Sequence, residues 1–111
     1  DLLDFFGDEE TVGKPVCGDL KIGILTLPVI HALQHAPRRA ELRELIQRRS
    51  IDDAAVAHVK EILAEAGSFD YARLKAREHI DRAVQALDRL PTLATRPALK
   101  TLADFVINRN F

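Results

Sequence analysis

An all-α fold is predicted by three features of this 111-residue sequence. Apolar residues make up 47% of it with only 5% aromatic, and alanine and leucine lead that fraction, a balance that favours helices over sheets. Apolar side chains recur at helical spacing, most persistently as Ala72, Ala76, Ile80, Ala83, Val84, Leu87 and Leu90. Pro37, Gly67 and Pro91 fall where such runs stop.

Taken in order, residues 1–6 read as the end of a helix begun upstream, because an acid pair and two phenylalanines run into Gly7 without an N-cap. Residues 7–26 carry Gly7, Gly13, Gly18 and Gly23 and read as one long loop, a length that is usually functional in compact domains. Thr26 is expected to cap a helix over 27–36, with Pro28 in its first turn and Val29, Ile30 and Leu33 facing the core. Pro37 ends it. Residues 38–49 read as a second helix with Leu42, Leu45 and Ile46 inward and Arg38, Arg39, Arg43, Arg48 and Arg49 on a solvated face.

Ser50 with Asp53 approximates a capping box for a helix that buries Val56, Val59, Ile62, Leu63 and Ala66 and stops at Gly67. Ser68 restarts the chain into the long periodic run that Pro91 closes. Thr95 and Pro97 suggest a last helix start, with Leu99, Leu102, Ala103 and Val106 as its buried stripe.

Charge and cysteine content exclude several function classes. Seventeen acids against 16 bases leave a formal charge of -1, so no strong field draws the chain to nucleic acid or to an anionic membrane. The single cysteine, Cys17, rules out an intrachain disulfide framework, fits a cytoplasmic protein and reads as a small loop filler. No apolar run approaches the ~20 residues that cross a bilayer. His31 and His35 stand four apart on one helix face, yet no nearby acid or cysteine completes a zinc set; His58 and His79 have no partner pattern.

The chemistry concentrates at the start. Asp1 and Asp4, three residues apart, share one helix face and could hold a hard divalent cation through their oxygens, magnesium fitting best. Gly13, Gly18 and Gly23 permit turns that bring a loop close to an anion, and Lys14 supplies a compact positive charge. Read separately, acids near a helix start complement its dipole and Gly-Lys-Pro makes an ordinary turn.

The order of these residues resembles the second aspartate-rich region of the trans-isoprenyl diphosphate synthases, the polyprenyl synthetase family. That pattern is Asp-Asp-x-x-Asp, a Gly-Asp stretch, then Gly-Lys-Pro and, further on, Gly-x-Asp-Leu and Gly-Lys-x-Thr-Leu-Pro. Asp1 and Asp4 match its second and third acids. Phe5, Phe6, Gly7, Asp8, Gly13, Lys14, Pro15, Asp19, Leu20, Gly23, Thr26, Leu27 and Pro28 follow in register, with Gly18 one place after the pattern's glycine. The later helices are similar with less specificity. Where the family usually has a second lysine, this chain has Ile24, which cannot contact a diphosphate electrostatically; Lys21 could partly substitute.

The resemblance implies the C-terminal helices of an isoprenoid-synthase-type bundle, with residues 1–111 forming the C-terminal part of a single polyprenyl synthetase domain. A chain without methionine that opens inside the motif reads as a fragment whose N-terminal half is absent. The implied activity condenses isopentenyl diphosphate with an allylic diphosphate to a longer trans-polyprenyl diphosphate, and the fragment alone is expected to be inactive. Asp1 and Asp4 would be Mg2+ ligands, Lys14 would contact the departing diphosphate, and Lys21 and Arg109 would assist in binding substrate. A homodimer or heterodimer of the full-length protein is implied, with contacts between this piece and the missing half. The alternative is a non-catalytic helical subunit of a prenyl synthase complex.

Overall fold

The computed structural model describes residues 1–7, 10, 13, 16–90 and 95–108; Asp8, Lys14, Pro15, Pro91 and Arg109 lie outside the described residues. All regular structure within them is helical. Helices run over Leu2–Phe6 (α1), Gly18–Lys21 (α2), Leu27–His35 (α3), Arg39–Ile46 (α4), Asp53–Glu65 (α5), Ser68–Asp88 (α6) and Arg96–Asn108 (α7). The chain divides into two units, Asp1–Ala72 and Arg73–Asn110.

The first unit holds the core. Phe5, Leu20, Val29, Ala32, Leu42, Leu45, Val59, Ile62 and Leu63 are buried there, and Phe69 packs edge to face with Phe5 at 5.3 Å between ring centroids. Burying such a side chain is worth about 1.5–3 kcal/mol each, so this set decides the unit's shape. On α3 the inward face is Val29, Ala32 and, just past the helix, Ala36; Leu33 is half-buried and the expected core residue Ile30 is 41% exposed. Two alanines in the inward row let neighbouring helices come close, and that row lies off the side on which Ile30 points.

Ala36 takes extended backbone at ψ 138° and closes α3, as the residue before Pro37 must when proline crowds its helical conformation. Helix α4 buries Leu42 and Leu45 as expected, and Gln47 closes it, two residues before the predicted end. Helix α5 starts differently from the expectation. Its N-cap is Asp52, whose carboxylate accepts from the Ala55 amide at 2.7 Å, in place of the Ser50 and Asp53 box. A carboxylate one residue before the first helical residue reaches the free amides of the first turn, and Ser50 stands too early to do so. Ala55 joins the buried row while Val56 and Ala66 are half-buried. Gly67, at φ +68°, makes the left-handed turn after α5, a conformation glycine adopts at least cost.

The expected loop over 7–26 contains a short helix. Helix α2 begins after Cys17, itself left-handed at φ 58°, and buries Leu20.

The second unit comprises the remainder of α6 and α7. Asp88 bonds Lys100 at 2.9 Å and also Arg96, and these cations hold its carboxyl below the usual range. Along α6 only Ser68, Phe69 and Ala72 are buried; Ile80, Val84 and Leu87 are half-buried, and Ala76, Ala83 and Leu90 are exposed. No residue of α7 is buried. Leu99, Leu102 and Val106 are exposed, against the expectation of a buried stripe. Periodicity says which face of a helix is apolar, not whether another surface meets it.

Candidate functional site

The acidic turn and the segment after it fold onto each other. Helix α1 carries Asp4, and Asp1 stands at its N-cap position without a side-chain capping bond. Residues 16–27 return across it at two anchor points. At the first, the Asp4 carbonyl accepts from the Cys17 amide at 2.7 Å, and the Asp4 carboxylate Oδ2 accepts from the Asp19 amide at 3.3 Å. At the second, Asp1 Oδ2 accepts from the Leu27 amide at 3.2 Å. Both partners are first-turn amides of helices, α2 and α3, groups that lack intrahelical acceptors and favour negative charge.

The two acids differ in exposure. Asp4 is 3% exposed and Asp1 is open to solvent. As hard oxygen donors they fit a cation such as magnesium or calcium. Asp1 is reached from solvent, and Asp4 is held inside the turn by its bond to the Asp19 amide. Among the described residues there is no group of three or more His, Cys, Asp or Glu side chains able to hold a metal ion. Completing an octahedral site therefore needs further oxygens from water, substrate or other protein groups.

The cations expected nearby are distributed unevenly. Lys21, at the end of α2, bonds Asp53 at 3.0 Å, an ion pair in which the aspartate side chain is 95% exposed; a pair this open to water stabilises little and competes poorly with a polyanion. Ile24 is 50% exposed and presents apolar surface between Asp19, whose carbonyl accepts its amide, and Thr26. Lys14 and Arg109 lie outside the described residues.

Cys17 is fully buried at the junction of α1 and α2. Burial raises its thiol pKa, Asp4 adds to that, and Lys60 and Lys21 oppose it. A thiol of that kind is a packing group rather than a nucleophile.

Two groupings were missed from sequence. Lys60, on α5, donates to the Phe5 carbonyl at 3.0 Å and stands 5.5 Å from the centroid of the Phe6 ring. No local pattern marks a contact that spans 55 residues. Arg38, expected on a solvated face, bonds Glu41 at 2.8 Å and Glu65 at 3.2 Å, and its Nη2 lies 2.7 Å from His58 Nε2. The same imidazole nitrogen lies 2.7 Å from Glu41, so His58 does have partners. The hydrogen bond from Arg38 holds the Glu41 carboxyl below its usual range. The three-residue spacing of Arg38 and Glu41 was the readable signal; the partners on α5 were not.

His31 and His35 do not assemble a zinc site among the described residues. His31 Nδ1 lies 2.9 Å from the buried Ser68 hydroxyl, and its ring stacks on Tyr71 at 4.2 Å between centroids. Desolvation, then the neighbouring His35, lowers its pKa.

Comparison with known proteins agrees with the order of these residues. The chain is 38% identical over 109 residues to a prenyl transferase of Cyanophora paradoxa, covering 98% of this chain and 33% of that protein. It is 38% identical over 112 residues to the all-trans-nonaprenyl-diphosphate synthase (geranyl-diphosphate specific) of Rhodobacter capsulatus, covering 98% of this chain and 34% of that one. A crystal structure of geranylgeranyl pyrophosphate synthase from Corynebacterium glutamicum, complexed with calcium and isoprenyl diphosphate, superposes with a TM-score of 0.79 at 37% identity, covering 97% of this chain and 33% of that one. The chain thus spans about a third of the length of the curated relatives it matches. The family model described as polyprenyl synthetase matches residues 1–65, more than half of the sequence and all of the acidic turn, its returning loop and the helices that anchor them: the chain belongs to the polyprenyl synthetase family.

Proposed function

We propose that this chain supplies part of the second aspartate-rich metal site of a trans-prenyltransferase, an enzyme that condenses isopentenyl diphosphate with an allylic diphosphate into a longer trans-polyprenyl diphosphate. The observation that carries the reading is the double anchoring of the acidic turn, Asp1 to Leu27 and Asp4 to Asp19, which holds a carboxylate pair against the loop whose residues follow the family order. Magnesium bound there would neutralise charge as the allylic diphosphate departs. Asp1 and Asp4 would both hold the cation, Asp1 from the solvent side and Asp4 while its other contacts keep the turn in place. Lys14 would contact the departing diphosphate, with Lys21 released from Asp53 and Arg109 assisting. Residues 1–111 would form the C-terminal part of one synthetase domain, working in the cytoplasm as a homodimer or heterodimer of the complete protein.

This division of labour assigns the chain alone no condensation activity. Incubation of the purified chain with isopentenyl and allylic diphosphates should give no elongated product, and product formation would overturn the assignment. In the complete protein, Asp1→Ala and Asp4→Ala should each lower turnover and raise the magnesium needed for half-maximal rate. Unchanged turnover in both would remove the pair from the metal site. Exposed Ile24 favours a second reading, a non-catalytic helical subunit of a prenyl synthase complex. If that holds, Ile24→Lys raises affinity for inorganic pyrophosphate without creating turnover.

A further inference from the structure

Resting on the metal-site reading above, we propose that Lys60 is a positioning residue for the Asp1 and Asp4 carboxylates: its ammonium fastens the C-terminal end of α1 to α5 and so sets where the acids stand. Helix α1 has five residues, far fewer than a helix needs to persist by itself in water. Its placement therefore depends on tertiary contacts, the buried Phe5 ring in the core and the bonds made at its ends.

Three carbonyls at that end have partners of different origin. Leu3 accepts from the Gly7 amide at 2.7 Å, Asp4 from the Cys17 amide at 2.7 Å, and Phe5 from Lys60 Nζ at 3.0 Å. The first donor belongs to the same turn and the second to the returning loop. The third belongs to α5, whose Val59, Ile62 and Leu63 are buried core. Lys60 is thus a charged hydrogen bond from the acidic turn to the firmest packing in the unit, placed where the helix dipole is negative.

The head of Lys60 has a further contact. The ammonium lies against the Phe6 ring, and Phe6 in turn meets Phe69 edge to face at 4.6 Å. Its field also reaches Cys17, whose amide makes the neighbouring bond to Asp4. One ammonium therefore serves the helix end, the aromatic pair beside it and the junction with α2.

Two effects of removing Lys60 have opposite signs, which makes the role testable. Through space alone, losing a cation from the element that holds α1 would, if anything, tighten binding of a divalent ion. Losing the tether lets the acids leave the geometry a metal requires, and groups that orient metal ligands typically contribute about 10–100-fold in affinity.

The test is titration of the complete protein with Mn2+, followed by electron paramagnetic resonance of the free ion, for wild type, Lys60→Met, Lys60→Gln, Lys60→Arg and Asp1→Ala. Positioning predicts about tenfold weaker Mn2+ binding in Lys60→Met, partial recovery in Lys60→Gln, which keeps a donor without charge, and near wild-type binding in Lys60→Arg. Amide exchange should quicken at Gly7 and Cys17 in Lys60→Met and stay unchanged at Ile62 and Leu63, which separates a loosened α1 from global unfolding. Unchanged or tighter Mn2+ binding in Lys60→Met, with Asp1→Ala weakened, overturns the Lys60 role and leaves the metal site standing. Wild-type binding in Asp1→Ala overturns the metal-site reading and this inference with it.

Discussion

The Asp1 carboxylate accepts a hydrogen bond from the Leu27 amide at 3.2 Å, joining residues 26 positions apart. Thr26, the N-cap of α3, makes no side-chain capping bond. Asp1 does that job from a different helix. Asp4 does the same for the Asp19 amide of α2. Each acid of the turn is therefore a cap as well as a candidate ligand, and the two roles separate experimentally because one needs a metal and the other does not.

Without metal, Asp4→Ala should destabilise the chain by about 1–3 kcal/mol, since it strips the buried acceptor from the Asp19 amide. Asp1→Ala should cost about 0.5–1 kcal/mol, the lower range for a cap open to water. Urea denaturation with a chelator present checks the order. Equal losses would show that burial does not distinguish the pair.

For α5, Asp52→Ala should cost about 1 kcal/mol by removing the bond to Ala55, whereas Ser50→Ala should leave the urea midpoint within error. The reverse order would restore the capping box read from sequence.

Leu63→Ala should cost about 2–5 kcal/mol, because it opens a cavity among fully buried neighbours. Leu102→Ala, at a side chain 57% exposed, should change stability by less than about 0.5 kcal/mol. Thermal melts of the two variants test whether the stripe on α7 is uncovered in solution.

His31 predicts a pH dependence with a definite sign. Desolvation, then His35, holds its pKa below the ordinary 6.5. As pH falls, the unfolded chain binds a proton at His31 before the folded chain does. The contribution is therefore present in full above about pH 6.5 and lost as pH falls through the lower folded value. Urea midpoints between about pH 7.5 and 5.5 should fall more steeply for wild type than for His31→Gln. Parallel slopes would show that His31 does not carry the effect.

The positions of the longer helices, the stop at Gly67 and the identity of the acidic turn are local properties of this sequence, whereas the short α2 inside the expected loop is not. Apolar spacing, proline sterics and the order of fixed residue types state them without reference to distant parts of the chain. What tertiary structure decided were the partners. Asp1 meets Leu27, Asp4 meets Asp19, Lys60 meets Phe5, and Arg38 gathers Glu41, Glu65 and His58. It also settled which apolar stripes are covered: Leu63 has neighbours on every side and Leu102 does not. The physical reason is that periodicity and capping act within a few residues, while a hydrogen bond or a packed face across tens of residues exists only once the helices between them have been placed.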